Sequence, residues 1–283
     1  MNLGSNLLPA AVQFGPLLRL QDVPHVRTIH VILSKDFLEL LGLRSQPSSN
    51  TCKLTFDLEA RTIEEKEFGI LAKALRTNST LSTLDLSDTA IGSNGTQALA
   101  EALKTNSTLT ALKLPGASIG PTGGQALAEA LKHNTTLTSL DVTKNAIECS
   151  GAHAMAEALE TNAILTTLDL NKNSIGHRGV QMLAEVLKRN RTLTTLNLWG
   201  NSVGNVGALA LAEILKKNKT LTTLDLWSAS IRDEGAQALS EALKVNTTLA
   251  ILELGENKIG EVGARALARA RNASSTLTTF NFL

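Results

Sequence analysis

The sequence predicts an α/β solenoid: a right-handed horseshoe of 28-residue units, with parallel strands on its concave side and helices on its convex side. Two observations predict it. Leu81, Leu109, Leu137, Leu165, Leu193, Leu221, Leu249 and Leu277 each open a similar phrase, and every step between them is 28 residues. A period of this length, kept without insertion or deletion, marks a stacked-repeat architecture. The second observation is compositional. Aromatic residues make up 3% of the 283 positions and Tyr is absent, so the core must be built from small and medium aliphatics in a regular way.

Each element of the unit follows from its residues. In Thr83-Leu84-Asp85-Leu86, apolar and polar residues alternate as in a half-buried strand, with Leu84 and Leu86 inward and Thr83 and Asp85 outward. Ile91 adds a core contact, and Gly92 and Gly95 permit the turn into the second half of the unit. The stretch TQALAEALK that follows places Leu99, Ala102 and Leu103 on one helical stripe. Gln97, Glu101 and Lys104 fall on the wet face, Glu101 and Lys104 as a favourable i, i+3 pair. One unit cannot bury its apolar face alone, whereas stacked units can. Strands stack about 4.8 Å apart and helices about 8–10 Å apart, so the stack curves with strands inside. Ala98, Ala100, Ala102 and their equivalents let neighbouring helices come close.

The ends depart from the pattern. Residues 1–52 read as an N-terminal cap, with a strand from Val26 to Val31, a short helix over Lys35–Leu43 and a loop at Pro47-Ser48-Ser49-Asn50. A degenerate first unit spans 53–80, with Phe56, Leu58, Ile63, Leu71, Ala74 and Leu75 at core positions. Regular units run over 81–276, and 277–283 is a terminal strand. Arg271 replaces the helix Leu seen at Leu103 and Leu243, and the sequence ends inside a strand at Phe280-Asn281-Phe282-Leu283. Three readings fit that edge: a minimal cap, a fragment of a longer array, or a strand that pairs with another copy.

Composition excludes several function classes. Lys and Arg total 27 and Asp and Glu 26, a formal net charge of +1, without the basic excess of nucleic-acid or membrane-surface binders. Two Cys, Cys52 and Cys149, cannot make a disulfide framework; a single bridge stays open, and two free thiols are expected. There is no run of apolar residues long enough to span a membrane, and no signal-like N-terminus, which points to the cytoplasm. His133, His153 and His177 lack ligand spacing, so neither metal nor cofactor is expected. Cys149 has no evident His and acid beside it, and the chain is read as non-catalytic. Asn-x-Ser/Thr sequons occur at Asn78, Asn94, Asn106, Asn134, Asn190, Asn218, Asn246 and Asn272 and are read as turn chemistry.

The shared phrase, roughly LTTLDLxxNxIGxxGAxALAEALKxNTT, resembles the leucine-rich-repeat pattern LxxLxLxxNxL. Its wording is similar to the ribonuclease-inhibitor type and most similar to the repeats of C-type NOD-like receptors. The resemblance covers about 53–283. It implies a protein-binding horseshoe without catalytic activity. The chain departs from a complete receptor in having no GxxxxGK[ST] nucleotide-binding loop, and from ribonuclease inhibitors in being neither Cys-rich nor strongly acidic. The pattern's Asn stands at Asn145, Asn173, Asn201 and Asn257, where it is expected to satisfy backbone groups of the neighbouring turn. It is missing at Thr89, Ala117 and Ala229, whose turns are expected to be weaker.

In a solenoid the repeated residues make the fold and the variable outward positions make the site. One outward row reads Asp85, Lys113, Asp141, Asp169, Asn197, Asp225, Glu253, and the next Ser87, Pro115, Thr143, Asn171, Trp199, Trp227, Gly255. Trp199 and Trp227 are the only aromatics inside the regular array, and exposed Trp is enriched in binding hot spots. Their indoles are expected to stack side by side on the concave rim. The candidate partner-binding set is therefore Trp199, Trp227, Asn197, Asp225, Asp169, Asn171, Asp141, Lys172 and Glu253. Acids outnumber bases on this face, which favours a protein partner with a basic surface; the plainer reading is that Asp simply suits this strand position. The leading function is a protein-interaction scaffold. The rivals are a regulator of a small GTPase, like the Ran-type GTPase-activating proteins, and a sensing fragment of a NOD-like receptor.

Overall fold

A computed structural model describes residues 28–31, 53–56, 65–79 and 81–282. The short helix expected over Lys35–Leu43 and the loop at Pro47–Asn50 lie outside the described residues, as do the side chains of Phe56, Leu58 and Ile63. Two short strands, β1 (Thr28–Val31) and β2 (Lys53–Phe56), pair in parallel, with Thr28 opposite Lys53. Helix α1 (Glu65–Thr77) follows, and it buries Phe68, Leu71, Ala74 and Leu75.

From there strands and helices alternate. The strands are β3 (Thr83–Asp85), β4 (Ala111–Lys113), β5 (Ser139–Asp141), β6 (Thr167–Asp169), β7 (Thr195–Asn197), β8 (Thr223–Asp225), β9 (Ile251–Glu253) and β10 (Thr279–Asn281). The helices between them are α2 (Gly92–Leu103), α3 (Gly120–His133), α4 (Glu148–Thr161), α5 (Gly176–Leu187), α6 (Gly204–Leu215), α7 (Asp233–Leu243) and α8 (Glu261–Ala273). The strands form one eight-stranded parallel sheet in sequence order. Each residue pairs with its equivalent one repeat on, as Leu140 does with Leu168 and Leu168 with Leu196. Among the described residues this is a solenoid of eight helices alternating with the strands of one parallel sheet.

The core is a set of aliphatic ladders. Leu84, Leu112, Leu140, Leu168, Leu196, Leu224 and Leu252 stack beneath the strands, each at most 1% exposed. Burying such a Leu stabilises the fold by roughly 2 kcal/mol. The helices complete the layer: α2 buries Leu99, Ala100, Ala102 and Leu103. One glycine in the first turn of each of α2–α8, such as Gly179, is required by close packing, since a Cβ on Gly179 would stand 2.4 Å from Ile175 Cγ2 and 3.1 Å from Ala152 Cβ. On the wet side Glu101–Lys104, Glu129–Lys132, Glu185–Lys188, Glu213–Lys216 and Glu241–Lys244 form a repeated i, i+3 ion pair. At exposed sites such pairs are weak, because water and salt screen them.

Two asparagine ladders stitch the units together. At the strand-to-helix turn, Asn173 is fully buried. Its Nδ2 donates to Val142 O (2.8 Å) one repeat back, and its Oδ1 accepts from Asn145 N (3.0 Å) and Ile147 N (3.3 Å). Asn201 serves Asn173 and Ile175 in the same way, and Asn257 serves Ala229 and Ile231. Where the next repeat has Ala in place of Asn, the turn folds back on itself. Ahead of Ala117, Ile91 N bonds to Thr89 O (2.6 Å); ahead of Ala229, Val203 N bonds to Asn201 O (2.8 Å). The missing Asn thus removes bonds between repeats and leaves the local turn closed.

The second ladder lies at the helix-to-strand turn and comprises Asn106, Asn134, Asn162, Asn190, Asn218 and Asn246, each buried. Asn218 Nδ2 donates to Leu187 O (2.8 Å), and its Oδ1 accepts from Thr220 N and Leu221 N. Every member repeats this pattern, so five of the eight sequons, at Asn106, Asn134, Asn190, Asn218 and Asn246, have their amide nitrogen engaged inside the fold. Asn94 and Asn272 are exposed. Cys149 is a free thiol, and Cys52 lies outside the described residues.

Replacing Asn173 by Ala orphans the backbone N–H groups of Asn145 and Ile147 and removes the amide's bonds to Val142 O in the preceding turn and Asn171 O in its own. The expected loss is about 3 kcal/mol, read as a lower urea midpoint in equilibrium denaturation. Ala229→Asn supplies acceptors for Asn201 N and Val203 N and is expected to gain about 1 kcal/mol in the same measurement.

Candidate protein-binding surface

The outward row at the end of the strands is in strict register. Asp141 lies opposite Asp169, Asp169 opposite Asn197, Asn197 opposite Asp225, and Asp225 opposite Glu253. The local reason for Asp here is a turn bond: the carboxylate accepts the backbone N–H two residues on. Asp141 Oδ1 takes Thr143 N (3.0 Å), Asp169 Oδ1 takes Asn171 N (2.9 Å), and Asp225 Oδ1 takes Trp227 N (2.9 Å). Asn197 does the same for Trp199 N (2.9 Å) through its amide oxygen. Lys113 is the exception that fits the rule. The residue two places on is Pro115, which has no N–H, and Lys113 is free to reach Asp85 at 3.8 Å.

Half-burial in this row disfavours the charged forms of Asp169 and Asp225. Burial, with Asp141 close by, pushes the Asp169 carboxyl above the usual aspartate range, although Asn171 N, Thr143 Oγ1 and Asn197 Nδ2 all donate to it. Burial likewise raises Asp225, and the charges of Glu253 and Asp169 push the same way. Glu253 is tied at its outer side by Asn281 Nδ2 (2.7 Å).

The next row holds the two indoles, both half-buried on the outward face. They do not stack on each other, and their neighbours explain why. Lys172 places its Nζ 4.4 Å from the Trp199 ring centroid, a cation–π contact. Trp227 instead lies across Gly255 of the next repeat, where an added Cβ would meet its Cζ3 at 2.5 Å. Lys172 reaches Trp199 by crossing Gly200: a Cβ there would stand 2.7 Å from Lys172 Cγ. Beside Trp199, the amide oxygen of Asn171 is the buried side-chain polar atom, among the described residues, that finds no hydrogen-bond partner.

The nine residues singled out from the sequence thus share one face. The structure joins Asp169 to Asn197 and Lys172 to Trp199, and it separates the two indole rings. Thr143, Gly200 and Gly255 shape the face without standing out in the sequence. Their signal was only that each sits in the same slots as the charged and aromatic residues.

Asp225 can be tested by linkage. Its folded-state pKa is raised, so the protonated form is favoured by folding; that stability is present below the usual aspartate value and is lost as pH rises through the folded value. Asn197 shows that an amide fits this position and keeps the turn bond. Asp225→Asn is therefore expected to raise the melting temperature at pH 7 relative to the parent, with the gain disappearing near pH 3. Thermal unfolding followed by circular dichroism across that range checks it.

The comparisons with known proteins bear on the repeats. A leucine-rich-repeat family model matches residues 77–100, 105–128, 133–156, 161–184, 189–212, 217–240 and 245–268. No match is found by sequence among curated proteins. Among solved structures, an internalin from Listeria monocytogenes is similar over 90% of this chain and 58% of its own, with 16% identity and a TM-score of 0.53. This chain therefore spans little more than half the length of that internalin. The actin-binding site 2 of leiomodin-1 matches over 51% of this chain and 87% of its own, with 25% identity and a TM-score of 0.43. The internalin likeness supports the fold, and the seven family matches spaced by one repeat period settle the affiliation: the chain belongs to the leucine-rich-repeat family.

Proposed function

We propose that this chain is a non-catalytic protein-interaction scaffold that binds a partner on its strand face, around Trp199 and Trp227. The observation that carries the reading is the placement of both indoles. The interior is built from aliphatic ladders, yet the two large rings of the regular array stand half-buried on the outward face. Amphipathic rings held on a rigid sheet are what binding hot spots are made of. Around them lie Asp141, Asp169, Asn197, Asp225 and Glu253, a row rich in acceptors, which suits a partner with a basic surface. Lys172 and Asn171 complete the patch. The wording of the repeats places it nearest the ribonuclease-inhibitor type, and the cytoplasm is the compartment in which we place its action.

The test is a pair of affinity measurements and a melt. Trp199→Ala with Trp227→Ala is expected to weaken capture of a basic protein partner by at least tenfold while the melting temperature moves by only a few degrees. Unchanged capture by the double variant would overturn the site.

A further inference from the structure

The two Trp slots are alike in the repeat register and unlike in what covers them. Lys172 precedes Trp199 by 27 residues, crosses Gly200 and lays its ammonium over the Trp199 ring at 4.4 Å. The residue that stands in the same relation to Trp227 is Gly200 itself. It has no side chain, and no cation of the described chain lies over Trp227. The protein therefore supplies its own cation to one indole and withholds it from the next.

The charge around Trp227 differs in the same sense. Two outward rows carry charge, the one that begins at Asp85 and the one that runs Asp88, Gly116, Lys144, Lys172, Gly200, Ser228, Glu256; their bases, Lys113, Lys144 and Lys172, all belong to earlier repeats. From β8 onward those rows hold Asp225, Ser228, Glu253 and Glu256. The Asp225 carboxylate spends Oδ1 on Trp227 N and has no ion-pair partner, and Glu253 and Glu256 also lack one. One side of the indole is seated on Gly255, which fixes the ring. An aromatic face fixed beside unpaired carboxylates is the environment that selects an ammonium or guanidinium group.

We propose that Trp227, with Asp225 and Glu253, is a receptor for a lysine or arginine side chain of the protein partner, in the place that Lys172 fills for Trp199. This rests on the strand-face scaffold reading and names the group that the face receives. Trp199 is closed to such a group while Lys172 lies on it.

The experiment follows the two indole N–H resonances of the whole chain by 15N NMR, assigned with Trp199→Phe. The probes are short capped peptides carrying arginine, lysine or, as the neutral control, glutamine. The arginine and lysine peptides are expected to shift the Trp227 signal saturably and leave the Trp199 signal in place, while the glutamine peptide shifts neither. Asp225→Asn is expected to weaken that response by roughly five- to thirtyfold, and its melting curve excludes unfolding as the cause. Lys172→Ala is expected to make the Trp199 signal respond as well. The proposal is overturned if Trp227 does not respond, if the neutral peptide matches the cationic ones, or if Trp199 responds equally in the parent. A protein partner that is lost by the double Trp variant but held unchanged by Asp225→Asn would leave the scaffold standing and overturn the cation site alone.

Discussion

Where the strand-to-helix asparagine ladder is intact, each repeat takes hydrogen bonds for its turn from the following repeat. The strand-to-helix turn exposes N–H groups inside the solenoid, where water cannot reach them, and the oxygen of an asparagine one repeat on accepts them. The same asparagine returns its amide hydrogens to a carbonyl one repeat back. Because one side chain serves two turns, its own and the preceding one, its neighbours must stand at a fixed distance, and that distance is what the constant 28-residue period keeps. An insertion of one residue between a strand and its asparagine would put that asparagine out of step with its acceptors in the adjoining repeat.

The ladder is uneven, and the unevenness has a direction. Asn145, Asn173 and Asn201 form a continuous run through the middle, bounded by Ala117 and Ala229. In a stack stabilised by nearest-neighbour interfaces, cooperativity is set by the weakest of them. The central run carries Asp141, Asp169, Asn171 and Lys172, so part of the proposed face rests on the best-joined repeats. The turn after Trp199 is the one that closes through its own backbone, Val203 N to Asn201 O, whereas the turn after Trp227 is held by Asn257 of the next repeat.

The architecture was legible because it is written in a period. Leucines at a constant step, glycine where two backbones approach and alanine where helices touch allow one solution, and the sheet register follows. The Glu101–Lys104 pair was equally readable, since helical spacing alone decides it. The relation between Trp199 and Trp227 was less legible. Equal slots in consecutive repeats implied stacked rings. The actual arrangement is set by residues that look unremarkable in the sequence: Gly255 gives Trp227 a seat, and Gly200 gives Lys172 a path. The acid row was half legible. Its excess of charge was countable, but the reason for Asp, an acceptor for the N–H two residues on, emerges only with the turn geometry, and Lys113 before Pro115 shows that the rule is about that N–H.

The helix-to-strand asparagines have a consequence for the history of the chain. Five of them carry the sequence tag that a glycan-transferring enzyme reads, and all five present their amide nitrogen to a carbonyl of the preceding helix once the repeats close. The folded protein is chemically silent at these tags. A sugar found on Asn134 or Asn218 would be a timestamp, recording that the enzyme met the chain before those repeats stacked.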